Sequence, residues 1–570
     1  MSATLLSDGQ PNRAGVLGRL TSAAEQAELL SLLAAYEAKA NGEPFELDVY
    51  DAETLPGPLI EALIRLLDRG QRLKIVAYRP LLAHCLMRLG LPVRQIVNTN
   101  PLAPLTRCRA LVVGGSAQSL DKLLLIVGSL PAGETTVFVA QHVQEDQVSL
   151  LDRLLQVRTD YRVVMPQHLA AVETSTIYVA PPGCHLKVAH GLIYLTHDAK
   201  VNLARPSIDV LFASVAGEYR EQCLGVLLCG YGNDGVAGCA ALKEAGACVV
   251  VEDGDDCGDA RVLPDAACAA GRFDHVMKCA GIASFVAAAI AGPQAAPTGH
   301  LLDLFLEALW RQYDYDLRGY QRDSIERRLK NLMGQFGLPG FADFQRAVLS
   351  QRPLFERLAA EISVGVSGFF RHPEQFRRLR EDVLPYLASF PVLKIWSAGC
   401  ATGEEAFSLA ILLDELGLLP RTRLFATDFN MYYLDLGKSG LFPVADLADS
   451  RRDYLASGGP GRFDDYVEHH GRCLKVQERL RQTVLFHRHS LVSEGVFNEF
   501  QLIVCRNVMI YFNQETQRKV LALFARSLHP DGFLVLGPRD GQIRIASEHG
   551  LAPHSSAEHI YRLQRGRTHD

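Results

Sequence analysis

The chain lacks the features that would place it in a membrane or outside a cell. No uncharged apolar run approaches the roughly 20 residues that cross a bilayer. The first residues carry no basic stretch followed by an apolar one, so no secretory signal is expected and the cytoplasm is the expected location. The 13 cysteines include no C-x-x-C pair and no Cys/His ligand spacing. That argues against a structural metal and for reduced, mostly buried thiols. Charge of one sign is missing too: 58 basic and 64 acidic side chains leave a net charge of −6. Nothing in that balance points to non-specific nucleic-acid binding. No internal repeat is evident.

What is present is size. A chain of 570 residues exceeds a single core, and three to four domains are expected. Two Pro-rich bridges divide it, Asn98-Thr99-Asn100-Pro101-Leu102-Ala103-Pro104 and Ala291-Gly292-Pro293-Gln294-Ala295-Ala296-Pro297-Thr298-Gly299. The expected modules are 1–100, 107–290, a helical unit at 300–366 and an α/β unit at 367–565. Residues 1–14 are small and polar and are expected to fray.

From Ala14 to about Ile96 the pattern reads strand, helix, strand, helix, strand, helix. The segments are Val16–Leu20, Ala23–Ala38, Phe45–Tyr50, Pro58–Leu67, Arg72–Ala77 and Leu81–Leu89. This order resembles the STAS fold, a small α/β regulatory module. In its phosphorylatable members a serine or threonine opens the helix after the central strand. Thr54 is the nearest candidate here, but the usual Asp-Ser start is missing, so a docking role is expected rather than a phosphorylation switch.

The most informative stretch is Leu393-Lys394-Ile395-Trp396-Ser397-Ala398-Gly399-Cys400-Ala401-Thr402-Gly403-Glu404-Glu405. A β-prone run ends in a glycine turn, and a capping threonine with two acids then opens an apolar helix. Such a strand–loop–helix edge suits a nucleotide-like ligand. The acids would repel a pyrophosphate, so a cationic ligand such as S-adenosyl-L-methionine fits better. Leu424-Phe425-Ala426-Thr427-Asp428 puts an acid at the end of the next strand, where a ribose diol needs an acceptor. Phe500–Phe512 follows with Cys505-Arg506-Asn507-Val508-Met509-Ile510-Tyr511-Phe512.

With Gly368-Phe369-Phe370-Arg371, these motifs make the segment from about Asp303 to Gly537 resemble the chemotaxis receptor methyltransferase family (CheR). The resemblance implies S-adenosyl-L-methionine as cofactor and a glutamate side chain as methyl acceptor. Arg371 would clamp the substrate carboxylate, and Tyr511 would lie near the transferring methyl. Arg506 and Asn507 would shape the loop around it. Glu404 would take the cofactor's cationic end, Asp428 its ribose, and the Gly399 backbone would approach it closely. Ser367 stands for the family's usual threonine. Asn is common in the family where Gly365 stands. The family's Phe-x-x-x-Asn-Leu appears as Phe486-His487-Arg488-His489-Ser490-Leu491, so Ser490 and Leu491 border the adenine. Loss of one amide hydrogen bond there would weaken affinity by about 0.5–1.5 kcal/mol. The Arg327-Arg328-Leu329-Lys330 cluster is either a solvated face or a dock for an acidic receptor helix.

In the second module, Ser116, His142 and Asp234 each follow an apolar β-prone run. In a parallel sheet such ends share one edge, where active sites form. Ser116 would attack an acyl carbon, His142 would take its proton and Asp234 would orient the imidazole. Gly114-Gly115-Ser116, Gln141-His142-Val143, Val179–Leu186, Arg205–Phe212 and Gly230–Gly235 resemble the chemotaxis receptor methylesterase family (CheB) over roughly 107–290. That implies hydrolysis of glutamyl methyl esters and glutamine deamidation on chemoreceptors. The family's Thr-Gly-Gly after the nucleophile is here Ala117-Gln118-Ser119. Its Thr-Gly-Met-Gly is Cys229-Gly230-Tyr231-Gly232, and its Gly-Met-Pro is Val262-Leu263-Pro264. An altered oxyanion geometry and a slower or retuned hydrolysis are expected.

The expected fold class is α/β and multidomain: a STAS-like module, a parallel-sheet methylesterase domain, a small helical domain and a Rossmann-like methyltransferase domain. The expected partners are cytosolic domains of chemoreceptors and a regulatory partner of the first module, with no nucleic acid and no membrane insertion. No response-regulator receiver pattern precedes the esterase segment, so phosphorelay control on this chain is not expected. The rival reading is a signalling scaffold in which one or both enzyme-like domains bind without turnover.

Overall fold

The computed structural model describes residues 4–6, 13–17, 23–39, 44–50, 52, 55–95, 108–143, 149–292, 297, 299–338, 340–362, 367–540 and 543–564. Two compact units emerge. One joins Met1–Asn98, Gly319–Ser324 and Glu356–Asp570, and the other joins Thr99–Arg318 and Ile325–Phe355.

The first unit begins with a five-stranded sheet whose spatial order follows the sequence: Thr4–Leu6, Arg13–Leu17, Phe45–Val49, Leu73–Ala77, Val93–Gln95. The first pair is antiparallel and the rest are parallel. Helices Ala23–Lys39, Gly57–Asp68 and Pro80–Arg88 make the crossovers. Pro58 and Pro80 lie in the first turns of their helices, where no intrahelical N–H is lost. Every expected element is there within a few residues. Two details differ. The opening strand is Arg13–Leu17 and not Val16–Leu20, and Thr4–Leu6 pairs with it where fraying was expected. Hydrogen bonds to a neighbouring strand order a segment whose own composition is unremarkable. Thr54 lies outside the described residues.

This module is packed against the rest of its unit and not merely tethered to it. Its core of Phe45, Leu47, Val49, Leu63 and Ile75 runs on into Leu436, Leu441 and Cys473. Lys475 pairs with Glu61 at 2.7 Å, and Arg79 Nε donates to the fully buried Glu356 at 2.7 Å.

The remainder of that unit is a seven-stranded sheet in the order Val484–Arg488, Thr422–Asp428, Leu393–Ala398, Phe500–Cys505, Leu528–Leu536, Ile560–Leu563, Leu551–Ser555. The first five are parallel, Ile560–Leu563 runs antiparallel to them, and Leu551–Ser555 is antiparallel to Ile560–Leu563. Strands Leu393–Ala398 and Phe500–Cys505 sit mid-sheet with both faces covered, which is why they read as continuous apolar runs. Trp396 is fully buried there and donates Nε1–H to Thr427 Oγ1 at 2.8 Å. A three-stranded antiparallel sheet, Leu441–Pro443, Cys473–Val476 and Val467–His470, is inserted after helix Met431–Ser439.

The second unit holds an all-parallel seven-stranded sheet in the order His275–Met277, Cys248–Glu252, Cys223–Leu227, Ala110–Gly115, Thr136–Gln141, Thr176–Val179, Arg162–Val164. Chain order reverses beside Ala110–Gly115, which puts a crevice at the carboxyl ends of the central strands. Helices Gly299–Tyr313 and Phe341–Ser350 follow, with Phe305, Phe341 and Phe344 wholly buried and in ring contact at 5.5–6.4 Å. Buried Gln345 ties them to the esterase-like segment by donating to the Ser284 carbonyl at 2.8 Å. Phe305→Ala empties this cluster and is expected to cost about 3–5 kcal/mol, read as a lowered urea midpoint of the phase that unfolds this unit. An unchanged midpoint would mean the cluster collapses around the loss.

Candidate functional site

Two sites form, one in each unit, and both lie where parallel strands end. In the first unit the loop after Leu393–Ala398 carries Gly399 at φ +75° and Gly403 at φ +95°. A Cβ on Gly399 would stand 2.4 Å from Val508, so both the backbone conformation and the space demand glycine. The N–H groups of Gly399 and Cys400 donate to Thr427 O at 2.8 and 2.9 Å. The expected threonine cap does not form. Gly403 occupies the cap position of helix Glu404–Glu415, and Thr402 Oγ1 donates to Glu404 Oε2 at 2.6 Å.

Asp428 closes the neighbouring strand. Its Oδ2 accepts from Ala401 N at 3.0 Å and its Oδ1 from Asn430 N at 2.9 Å. Burial pushes this carboxyl up to about 6, against the pull of the N–H groups of Asn430, Ala401 and Phe429. The two acids after Gly403 differ in their surroundings. Glu405 accepts from Ser397 Oγ at 2.8 Å and pairs with Arg506 at 3.4 Å. Glu404 is 4% exposed, and among the described residues no ion pair neutralises it. Burial raises both carboxyls, opposed by the Thr402 hydroxyl for Glu404 and by Arg506 for Glu405. A buried acid with no ion-pair partner among the described residues, which feels only the charge of Arg88, beside a glycine loop and a strand-end carboxylate, fits a ligand that carries positive charge and a diol.

Arg371 lies between two residues in the left-handed region, Phe370 at φ +53° and His372 at φ +58°. Neither is glycine, so this turn stores strain that its surroundings hold. The Phe370 N–H donates to Ser408 Oγ at 2.9 Å, and the Arg371 carbonyl accepts from buried Arg506. Arg506 thus links the Arg371 turn to Glu405, and its guanidinium lies 5.1 Å from the Phe376 ring. Burial lowers its affinity for the proton, and Glu405 opposes that. Asn507, at φ +60°, and Ile510 give their N–H groups to Asp540, which fixes the loop that carries Tyr511. Gln321 N–H donates to the Tyr511 carbonyl at 2.8 Å. Ser490 accepts from Ser493 N in its own turn at 3.3 Å, and Leu491 beside it packs on the core that holds Trp396. Ser367 is half-buried just before the strained turn.

In the second unit, Ser116 ends Ala110–Gly115 and His142 ends Thr136–Gln141, on adjacent strands joined by His142 N donating to Gly115 O at 3.0 Å. His142 Nε2 lies 2.8 Å from Asp234 Oδ2. Asp234 is 2% exposed and accepts three further bonds, from Ser207 Oγ at 2.7 Å, Ile208 N at 2.8 Å and Asp209 N at 3.2 Å. Burial opposes its ionisation, and these donors with His142 outweigh it, holding the carboxyl below the usual range. It therefore serves also as the anion at the N-terminus of helix Ile208–Tyr219. Asp209 does the same for helix Val236–Glu244 by accepting from Gly235 N at 2.8 Å and Gly238 N at 2.6 Å. Ser116 Oγ donates to Gln118 Oε1 at 2.7 Å. The exposed Tyr231 stands in the Asp234 loop, one of its positions that depart from the expected motif.

Several residues of these sites went unassigned in the sequence. Ser207, Asp209 and His185, whose Nδ1 accepts from Ser207 N at 3.2 Å, lay in stretches singled out there but carried no role. Glu405 was noted only as a helix-opening acid, and Asp540 not at all. The Arg327–Lys330 cluster lies on helix Arg322–Phe336 with Arg327 and Lys330 exposed and Leu329 buried.

A largely parallel α/β sheet with a glycine loop, a buried acid opening the next helix and a buried acid at the neighbouring strand end has the form of an S-adenosyl-L-methionine methyltransferase fold. In the second sheet Ser116 and His142 stand at adjacent strand ends, Asp234 meets His142 from the loop that follows Cys223–Leu227, and the Ser116 hydroxyl is paired with Gln118. Family comparison narrows both. The family described as "CheB methylesterase" matches residues 111–286. "CheR methyltransferase, all-alpha domain" matches 300–363, and "CheR methyltransferase, SAM binding domain" matches 365–548. The chain is 38% identical over 260 residues to "Putative methyltransferase Cher3" of Pseudomonas putida, covering 45% of this chain and 95% of that protein. It is 31% identical over 227 residues to "Chemotaxis protein methyltransferase 1" of Vibrio cholerae, covering 37% and 78%. Among solved structures, the CheB methylesterase catalytic domain of Thermotoga maritima aligns at 24% identity and TM-score 0.30, over 32% of this chain and 98% of that one. The chain belongs to the CheR chemotaxis methyltransferase family and carries a CheB methylesterase domain in the same polypeptide. It is a protein-glutamate O-methyltransferase with an esterase domain, and its cofactor is S-adenosyl-L-methionine. No described helix is long and apolar enough to cross a membrane.

As the expected acceptor for the cofactor's ribose, the Asp428 carboxyl, raised to about 6, is expected to give cofactor binding a pH dependence. Only the ionised form would accept two hydrogen bonds from a diol, so affinity is expected to hold at neutral pH. Below about pH 6 it should fall, approaching tenfold per pH unit. Calorimetric titration with S-adenosylhomocysteine reads this directly. Asp428→Asn should bind weakly with a flat profile, and an unchanged slope in that variant would assign the titration to another group.

Proposed function

We propose that the chain adds and removes methyl groups on glutamate side chains in the cytosolic domains of chemoreceptors, as an adaptation enzyme of the cytoplasm. The observation that carries the transferase half is the strained turn that holds Arg371, coupled through Arg506 to the acids of the cofactor loop. A substrate glutamate is ionised near neutral pH, its ordinary pKa being about 4.3, so it needs no general base. The protein's task is then alignment. Bound S-adenosyl-L-methionine supplies the electrophilic methyl group. Arg371 holds the acceptor carboxylate by charge-assisted hydrogen bonds. Tyr511 borders the transferring methyl, with Arg506 and Asn507 setting its loop. Glu404 takes the cofactor's ammonium end, Asp428 the ribose, Gly399 the close backbone approach, and Ser367, Ser490 and Leu491 complete the pocket.

In the esterase half, Ser116 attacks the methyl ester or a glutamine amide, His142 carries the proton and Asp234 holds the imidazole. The pairing of His142 with a carboxylate kept ionised supports that assignment. One observation favours a second reading, in which this domain binds receptor without turnover. The Ser116 hydroxyl donates to Gln118 and so has an alternative to the imidazole. The first module, STAS-like in its element order, acts as the docking or regulatory element. The core it shares with the transferase supports that role.

Incubation with methyl-labelled S-adenosylmethionine and a cytosolic receptor fragment should place base-labile label on the fragment. Arg371→Ala should lower kcat/KM roughly 10–100-fold with cofactor binding kept. Absence of label from a fragment that another methyltransferase accepts would overturn the transferase reading. For the esterase, wild-type protein should release methanol from the methylated fragment, Ser116→Ala should not, and Gln118→Gly should release it faster. Equal rates in wild type and Ser116→Ala would sink the triad. No release by either wild type or Gln118→Gly would leave a binding domain.

A further inference from the structure

Behind the Ser116 strand lies a cluster that neither reaction uses. The Cys229 and Cys257 Sγ atoms and a Glu252 carboxylate oxygen all lie within 4.8 Å of one another. Glu252 is fully buried, accepts from Cys229 N at 2.7 Å and is paired with Lys122. Lys122 Nζ also donates to Asp256 O at 2.8 Å and points at Cys257 Sγ at 3.7 Å. The three ligand types would suit a soft divalent cation, but the ammonium of Lys122 already stands at that place. What remains is two thiols within 4.8 Å of each other beside a fixed positive charge.

We propose that Cys229 and Cys257 form an oxidisable dithiol, a modification site at which a hydroperoxide such as hydrogen peroxide closes a reversible disulfide. The Cys229 thiolate attacks one peroxide oxygen; the O–O bond breaks, hydroxide leaves, and Cys229 becomes a sulfenic acid. The Cys257 sulfur then attacks the Cys229 sulfur, the S–O bond breaks, and the hydroxyl departs as water with the Cys257 proton. Two thiols lose two electrons in total and one peroxide gains them. The Cys257 thiol donates to Asp253 O at 3.3 Å, and its side chain beside Cys229, with help from Lys122, holds the Cys229 thiol below the usual range against burial and Glu252. Access comes from the Cys257 side, where Asp255, Asp256, Gly258 and Asp259 are exposed. Cys229, 1% exposed, is as enclosed as Cys108 and Cys223, but burial raises the thiols of those two.

The site bears on the esterase edge through the backbone. Ser116 N–H donates to the Cys229 carbonyl at 3.1 Å. The next residue, Gly230, is held by Ala260 O at 2.8 Å, and a Cβ there would meet Ser116 Cβ at 3.1 Å. Drawing the two sulfurs to a bonding distance of about 2.05 Å is expected to shift one of these backbones. Closure therefore alters the seat of Ser116, whether or not that serine turns over substrate.

The test uses the full chain, reduced, treated with hydrogen peroxide, alkylated and digested without reductant. The expected product is a Cys229–Cys257 cross-linked peptide, two hydrogens lighter than its parts. It should appear before oxidation of the half-buried Cys184, Cys248 and Cys268 and disappear with dithiothreitol. Lys122→Arg should keep the rate, and Lys122→Gln should slow it roughly tenfold as the thiolate fraction falls. Hydrogen exchange of the peptide containing Ser116 should rise on oxidation in wild type and stay constant in Cys257→Ser. Oxidation of the three half-buried cysteines with both thiols intact would overturn the proposal. So would separate sulfinic acids without a cross-link, or stoichiometric zinc uptake that shields both thiols from alkylation.

Discussion

The buried carboxylate of Asp428 gathers backbone donors from two segments: Ala401 from the glycine loop and Asn430 from the start of the next helix. An ionisable group without water must be satisfied by fixed dipoles. Satisfying this one draws the loop, the strand end and the next helix into register. The same constraint organises the esterase edge. Asp234 caps the helix that carries Asp209, and Asp209 caps the helix just after Asp234. Each acid fixes the backbone that presents the other, so neither site stands on a single loop.

The way each acid is compensated separates structural from functional roles. Glu405 has a guanidinium and a hydroxyl, and it serves to anchor Arg506. Asp540 spends its oxygens on the N–H groups of Asn507, Ile510 and Gly537. Glu404 has one hydroxyl, the charge of Arg88 and no ion pair among the described residues, which leaves it able to receive a cation. Adjacent glutamates of one motif therefore do different work, and the difference lies in partners from distant parts of the chain.

One polypeptide carries both a methyltransferase fold and a methylesterase fold. The first module enters this arrangement through packing. Leu436 and Leu441, on and just after the helix next to Asp428, belong to its core. Arg79 is anchored on Glu356 and lies 3.5 Å from the Tyr432 hydroxyl on that same helix. A change in the module would reach the cofactor edge through packed side chains rather than through a linker.

The sequence by itself determined the strand–loop–helix edges and the residues that must stand at them, because strand ends, glycine turns and helix starts are local. It also determined the order of elements in the first module, whose apolar periodicity is set by neighbours a few residues away. It misjudged Thr402, whose hydroxyl turns to Glu404 once Gly403 takes the cap. The partnerships were decided only in three dimensions: Arg506 with Glu405, Asp540 with the Tyr511 loop, Ser207 with Asp234, and Cys229 with Cys257 beside Lys122. Each joins residues tens to more than a hundred positions apart. No periodicity records such a contact, because it exists only after the sheet order has brought separate strand ends to one edge.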